Sequence, residues 1–315
     1  MTPERGPEPD RPASPGAGVA HRPDVQDWAL LLLLVVLWGS AFAVAAVVLR
    51  QYTPGQLVVG RLWIGALVLW LLVLAARRPW PDRPDRWLWF GAMAVLGNAL
   101  PFYLISWGQQ VVPSGLTGIL MAIMPLAVLP LAHLFVPGER MTPRRVAGFL
   151  LGFGGIVLLL GPQARRQLAG EGAALLPQFA ILAGAVCYAV NLIIARRAPR
   201  GEPMTTAAGV LLISAPLASV GWLLGGPPLP SAPALGPTTG LVALGLLSTG
   251  LATVIYFRVV SRAGPGFLSL INYLIPVYAV IIGALFLGES LSSRAMIALA
   301  VILTGVVVSQ RGGRS

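Results

Sequence analysis

Long apolar stretches, separated by short polar or proline-rich segments, follow one another along nearly the whole chain. Each is close to the roughly 20 residues that a helix needs to cross about 30 Å of hydrocarbon. Their polar residues do not alternate with apolar ones, which excludes the strands of a membrane β-barrel. The pattern therefore predicts an all-α integral membrane protein with about ten spans, at residues 28–49, 55–75, 87–108, 114–135, 144–161, 176–195, 205–224, 238–258, 266–287 and 292–310.

One segment occurs twice, at residues 114–158 and 265–307, with a single gap near Pro137. The two copies share identical residues at Gly115 and Gly266, Pro125 and Pro276, Gly138-Glu139 and Gly288-Glu289, Arg144 and Arg294, and Gly155 and Gly305. Five spans lie in each half, and an odd number makes the second half enter the membrane from the opposite side. Two five-helix repeats of inverted topology are the sequence pattern of a secondary transporter.

The placement of charged residues supports the inverted topology. It also argues that the net charge of +11 does not serve nucleic-acid binding. Only 10% of residues are charged, against about 25% in soluble domains. All 22 basic residues are arginines, and most lie in the short links between spans. With a cytoplasmic N-terminus, seventeen arginines lie inside and four lie outside, namely Arg50, Arg165, Arg166 and Arg294. This positive-inside bias predicts an inner-membrane, multi-pass protein with both termini in the cytoplasm.

The domain organisation follows from these spans. Residues 1–27 are proline-rich and charged, and we expect a disordered cytoplasmic tail. Residues 28–161 form the first repeat and residues 176–310 the second. The longest link, at about 225–239, is proline-rich and is expected to be an irregular lid or spacer on the outside.

The order of these motifs resembles the EamA-type transporters of the drug/metabolite transporter superfamily. The first span carries Trp38-Gly39-Ser40 and Phe42, followed by Pro54 and Arg61, and each half closes with a central proline, a Gly-Glu pair and a glycine-rich helix. The likeness covers about residues 25–311; the second half has Leu211 where the first has Arg61. The resemblance implies a ten-helix carrier of small metabolites, often an exporter of amino acids or related compounds.

The paired prolines are the first candidates for a site. Pro125 and Pro276 lie near the middle of spans 4 and 9, and each removes a hydrogen bond from a carbonyl four residues earlier, at Met121 and Asn272. In hydrocarbon such a carbonyl needs a partner or a cavity. Matching helix breaks therefore predict a substrate site, although a packing kink would give the same pattern.

Polar and aromatic residues inside the spans form a larger set. They either face a water-filled cavity or join neighbouring helices through hydrogen bonds. Together with Met121, the candidate cavity-lining residues are Trp38, Asn98, Tyr103, Trp107, Tyr188, Asn191, Tyr256, Asn272 and Tyr273.

Charged residues in or near the spans are predicted to be structural or gating residues, like Pro125 and Pro276. Arg61 is the only charge well inside a span; it could snorkel outward, cap a free carbonyl or attract an anionic substrate group. Glu139 and Glu289 end spans 4 and 9 at opposite faces and are expected to pair with arginines or cap backbone. His133, near the inner end of span 4, is expected to be a hydrogen-bonded interface residue and the only buried candidate for a proton relay.

The sequence argues against an enzyme, a metal centre or a bound cofactor. Two histidines and one cysteine, Cys187, cannot form a convincing metal site. Gly-rich phosphate loops and metalloprotease motifs are missing. The predicted function is secondary transport by alternating access, in the direction of efflux, with a small-molecule substrate and the lipid bilayer as partners. The alternative is a non-transporting membrane scaffold or a channel-like protein.

Overall fold

The computed structural model describes residues 23–81, 83–168, 175–199 and 201–310, with the side chains of 162–168 left aside, and within these residues all regular structure is helical. We label the helices α1 Val25–Val48, α2 Pro54–Ala75, α3 Asp85–Gly108, α4 Ser114–Phe135, α5 Pro143–Leu168, α6 Leu175–Arg197, α7 Pro203–Leu223, α8 Leu235–Leu268, α9 Ile271–Leu287 and α10 Ser293–Gln310. The all-α, two-repeat fold predicted from the sequence is confirmed.

Nine of these described helices have the length and composition of a membrane span. α8 is recorded as one helix of 34 residues, but Gly264 inside it has φ 80°, a left-handed conformation that only glycine adopts without strain. The eighth crossing ends at this kink. Residues 265–268 and the 17-residue α9 together form the ninth crossing, so the chain makes ten crossings, as expected.

Helix starts are capped by local side chains. α1 begins at Val25, three residues before the predicted start and inside the stretch expected to be disordered, because Asp24 and Asp27 form a reciprocal capping box. The rest of that tail, residues 1–22, lies outside the described residues. At α7, the Glu202 carboxylate accepts hydrogen bonds from the Thr205 amide at 2.6 Å and the Thr205 hydroxyl at 2.5 Å. Burial raises the pKa of Glu202, but these bonds outweigh burial and hold its pKa below the usual range.

The breaks in α4 and α9 differ from the matched pair that the prolines predict. α4 breaks at residues 122–123, directly before Pro125, where the proline ring cannot tolerate the helical carbonyl of Met121. Pro276, in contrast, lies buried inside the continuous helix α9, and the turn of that crossing is at residues 269–270. The prediction of a break at Pro276 is therefore wrong: the helix accommodates the missing hydrogen bond there.

The helix pairs reflect the repeat. α1 packs against α8 and α9, and the equivalent helix α6 packs against α3 and α4; α2 packs against α7, and α5 against α10. One apolar core lies among α1, α2, α7 and α8, and a second lies among α4, α5, α6 and α10. The third helix of each half packs against helices of the other half as well: α3 lies against α6 and α7, and α8 lies against α1 and α2.

The link between α7 and α8 is held against the start of α2. The Gln56 amide donates to the carbonyls of Pro227 and Pro228, at 3.1 and 2.8 Å. Gln51 donates to the Ala232 carbonyl and accepts from the Ala234 amide, both at 2.8 Å. These bonds order a proline-rich segment that has no regular structure of its own.

Candidate functional site

Both third helices of the repeats widen from α-helix to π-helix near the middle of their length. The π-helical segments are Val95–Ala99 in α3 and Leu244–Leu251 in α8. Such segments occur often at functional sites because they change the direction of side chains and free backbone carbonyls. Sequence reasoning missed both, and the only signal was a glycine beside a polar residue in each, Gly97-Asn98 and Ser248-Thr249-Gly250.

Arg61 of α2 reaches the π-helical segment of α8. Its Nε donates to the Thr249 hydroxyl at 2.8 Å, and its guanidinium carbon lies 3.9 Å from the centre of the Phe102 ring. The Thr249 hydroxyl itself donates to the Leu244 carbonyl, five residues back, at 3.1 Å. The π-helical geometry thus leaves the hydroxyl oxygen free to accept from Arg61. In this conformation Arg61 joins α2 to α8.

Tyr188 and Asn191 of α6 continue this polar cluster. The Tyr188 ring meets Phe102 edge-on, with centroids 6.4 Å apart. The side-chain oxygen of Asn191 is buried without a hydrogen-bond partner. Gly97 lies directly against this amide: a Cβ there would be 2.8 Å from three of its atoms. We call Arg61, Phe102, Tyr188, Asn191 and Thr249 the central cluster.

Trp38 and Tyr256 lie on the α1 side of the same region. The Trp38 indole donates to the Ser248 carbonyl at 3.0 Å, and the Ser248 hydroxyl donates back to the Leu37 carbonyl at 2.9 Å. Tyr256 lies 5.8 Å from Trp38, ring to ring. These bonds hold α1 against the second π-helical segment, so Trp38 serves helix joining here.

The other predicted cavity residues are spread more widely. Asn98, Trp107 and Asn272 are partly buried, and Tyr103 is exposed. Met121 and Tyr273 pack against the second apolar core, away from the central cluster. The structure therefore places Tyr188 against the Phe102 ring that covers Arg61 and Asn191 against Gly97, and does not gather the whole predicted set around one cavity.

Glu289 and Glu139 have unlike surroundings although they are equivalent in the repeat. The Glu289 carboxylate accepts from the Ser114 and Gly115 amides at 2.7 and 2.8 Å. The Glu139 carboxylate pairs with Arg145 at 2.7 Å and with Arg196 at 3.7 Å. His133 is exposed, with Nδ1 3.1 Å from the Glu139 carbonyl, so the expectation that it is buried is wrong.

An ion-paired group at the start of α1 was not expected. Asp27 is fully buried and accepts from Arg262 of α8 at 2.7 Å, and Asp24 accepts from the same arginine at 3.1 Å. The sequence placed Asp27 in a tail, where burial is not anticipated. No group of three or more metal-ligating side chains occurs among the described residues.

Comparison with known proteins decides the family. The EamA-like transporter family matches residues 27–161 and, a second time, residues 175–310. The chain belongs to the EamA-like transporter family. It is therefore a membrane transporter and not an enzyme, and its two family domains are the two halves recognised in the sequence.

Relatives in this family cover almost the whole chain. Protein PA1977 of Pseudomonas aeruginosa is 31% identical over 296 residues, 90% of this chain and 96% of its own. The inner membrane transporter YedA of Escherichia coli K12 is 26% identical, covering 90% of each chain. A probable terminal-alkyne amino-acid exporter of Streptantibioticus cattleyicolor is 28% identical, covering 90% and 93%. One solved crystal structure aligns with a TM-score of 0.61 and 25% identity, over 92% of this chain and 98% of that one.

Proposed function

We propose that this EamA-family transporter exports small metabolites, amino acids or related compounds, from the cytoplasm by alternating access between its two halves. The proposal rests on two helix starts that occupy equivalent positions in the two repeats but differ in what surrounds them. These are the start of α4 at Ser114 and the start of the ninth crossing at Pro265.

The start of α4 is closed against the other half. Pro113 precedes it and offers no side-chain cap, so the first free amides need another acceptor. Glu289 supplies it from the second repeat, and Ser114 and Gly115 are both buried. A Cβ at Gly115 would lie within 3.3 Å of atoms of Glu289, Leu291 and Val280. The two halves therefore touch closely at this face.

The equivalent start, at Pro265-Gly266, is open. Both residues are exposed, and a Cβ at Gly266 would have no atom within 4 Å. Glu139, the counterpart of Glu289, pairs with Arg145 of its own half and with Arg196 of the second half, and caps no helix start among the described residues. With a cytoplasmic N-terminus, α4 starts outside and the ninth crossing starts inside. On this basis we propose that the described conformation is closed at the outside and open at the inside.

We expect a second conformation in which the roles are exchanged. Glu289 would leave the α4 start, and Glu139 would cap the amide of Gly266 at the inner face. Each carboxylate gains a charge-assisted cap and a favourable helix dipole in one state only. Two such states, exchanged around a site between the halves, constitute alternating access.

The substrate class and direction rest on the relative named as an amino-acid exporter. The driving force is proposed to be the substrate's own gradient or exchange. The acidic residues in the described part of the chain all lie at helix ends or in links: Asp24, Asp27, Asp85, Glu139, Glu202 and Glu289. A carboxylate in a span interior, which proton-driven carriers commonly use, is not among them.

The test measures which helix start is accessible from which side. In a Cys187→Ala background, Ser114→Cys and Pro265→Cys are introduced singly, and a membrane-impermeant thiol reagent is added to right-side-out or inside-out vesicles. Pro265→Cys should react from the cytoplasmic side, and Ser114→Cys should be protected. Adding Glu289→Gln should speed the outside reaction at position 114 about tenfold, because a charge-assisted bond is lost.

Glu202→Gln is the matched control, since Glu202 also caps a helix start but within its own half. It should leave both reaction rates unchanged. Equal reactivity at positions 114 and 265 from one side, or no effect of Glu289→Gln, would contradict alternating access through these ends. Amino-acid efflux from proteoliposomes tests the function itself: saturable efflux supports a carrier, single-channel currents a channel, and no flux a scaffold.

A further inference from the structure

We infer that Arg61 binds the carboxylate of the transported molecule, so that the substrate class is small carboxylates, and α-amino acids in particular. This inference rests on the proposed function and adds to it the group of the substrate that is recognised and the residue that recognises it.

The first step is the charge balance of Arg61. The ion pairs of the described residues involve Arg83, Arg145, Arg196 and Arg262, and no acidic side chain pairs with Arg61. An arginine within a span is unfavourable without a counter-charge or another partner that compensates its charge. A transported anion is a partner that would be present only during the transport cycle.

The second step is the geometry of the guanidinium. Nε is used by Thr249, and one face is covered by Phe102. Neither terminal nitrogen has a hydrogen-bond partner among the described residues, and neither is sealed from the molecular surface. Held by its Nε and its face, the group presents its two terminal nitrogens in a fixed plane. That edge matches a carboxylate in a two-point hydrogen bond.

The third step is an unused hydrogen-bond acceptor on α6, the helix that carries Tyr188. Asn191 lies three residues after Tyr188 on α6, so both side chains project from one helix face, and Tyr188 meets the same Phe102 ring that covers Arg61. The Asn191 oxygen is buried without a partner. Leaving such an acceptor unpaired is unfavourable. An ammonium group would satisfy it, and a carboxylate with an ammonium group is an α-amino acid.

The structural alternative is that Arg61 only joins α2 to α8 through Thr249. A joining role needs one hydrogen bond and no positive charge. Glutamine at position 61 would therefore serve it. The two roles therefore differ in a measurable way: only substrate binding makes transport depend on whether the transported molecule carries a carboxylate.

The experiment compares amino acids with their C-terminal amides. Proteoliposomes are loaded with an equimolar mixture of leucine, phenylalanine, leucinamide, phenylalaninamide and phenyl phosphate, and efflux is followed by mass spectrometry against protein-free liposomes. The wild-type protein should release the acids about tenfold or more faster than the amides. Arg61→Gln should abolish this preference, and Arg61→Lys should retain part of it. Arg50→Gln, at an exposed arginine of the same sequence region, should change nothing.

Two further variants keep the test decisive if Arg61→Gln fails to fold, which melting in detergent would reveal. Thr249→Val keeps the charge but releases Nε, and it should reduce the preference for acids. Asn191→Leu should reduce discrimination between leucine and its deaminated hydroxy acid.

Acid and amide leaving the wild-type vesicles equally fast, or an acid preference that survives Arg61→Gln, would overturn the inference while leaving transport established. If phenyl phosphate were released preferentially, the group that Arg61 recognises would be a phosphate and not a carboxylate, which would also overturn the inference. Absence of any efflux would overturn the proposed function, and this inference with it.

Discussion

At the scale of single residues, Gly97 fixes the position of the Asn191 amide. It lies within the π-helical segment of α3, and the amide of Asn191 occupies the space where a side chain at position 97 would begin. Because helix interiors are close-packed, even one added methyl group forces a shift. Gly97 is therefore a residue through which the central cluster can be disturbed without changing any of its polar groups.

We predict that Gly97→Ala lowers amino-acid efflux and destabilises the protein by about 1–3 kcal/mol, the usual cost of overpacking. The measurements are efflux from proteoliposomes and the melting temperature in detergent. Gly91→Ala is the control on the same helix, because a Cβ there would meet nothing within 4 Å. It should be neutral or slightly stabilising, since alanine favours helix by about 1 kcal/mol. Equal effects of the two substitutions would show that the Asn191 contact is unimportant.

At the scale of helices, α5 and α10 depend on an exceptionally close backbone approach. A Cβ at Gly305 would lie 2.6 Å from the Gly148 carbonyl oxygen and 2.7 Å from the Gly152 amide nitrogen. Both neighbours are backbone atoms, which cannot rotate away as a side chain can. Small residues at such crossings let membrane helices approach and gain packing energy. These two final helices thus join the halves at a place distant from the central cluster.

We predict that Gly305→Ala separates α5 from α10 and lowers the melting temperature in detergent, with a cost of at least about 1–3 kcal/mol. Substrate preference between acid and amide should stay unchanged in the protein that remains folded. Gly154→Ala on α5 meets nothing within 4 Å and should be tolerated. A Gly305→Ala protein as stable as the wild type would show that the close approach is not required.

Helix-scale features also separate what the sequence could predict from what it could not. The ten apolar stretches depend on neighbours in sequence, and most spans lie within a few residues of their predicted bounds, whereas the cap at Asp24 was not predicted. The break at Pro125 follows from the local clash of the proline ring. The same rule fails at Pro276, because packing around a buried proline can hold the helix continuous despite the missing bond.

At the scale of the whole molecule, the distribution of arginines predicts the orientation in the membrane. The seventeen-to-four bias predicts both termini inside, and the assignment of open and closed faces depends on it. A reporter that is active only outside the cytoplasm, fused after Arg314, should therefore be silent. The same reporter inserted at Pro230, in the link between α7 and α8, should be active. Activity after Arg314 would reverse the assignment of the faces.

The sequence alone determined the membrane class, the ten crossings, the inverted repeat and the family. It could do so because a bilayer requires each span to form its own backbone hydrogen bonds and to be long and apolar enough to cross the hydrocarbon. It also pointed to Tyr188 and Asn191 as candidates, because polar side chains in a span need a reason to be there.

Only the tertiary structure decided which of these residues meet. Arg61 and Thr249 are 188 residues apart in sequence, and Glu289 and Ser114 are 175 apart. The π-helical segments and the unlike surroundings of Glu139 and Glu289 likewise depend on how the halves pack. Two equivalent segments hold different contacts because different neighbours pack against them, and a repeated sequence cannot record which contacts each copy makes.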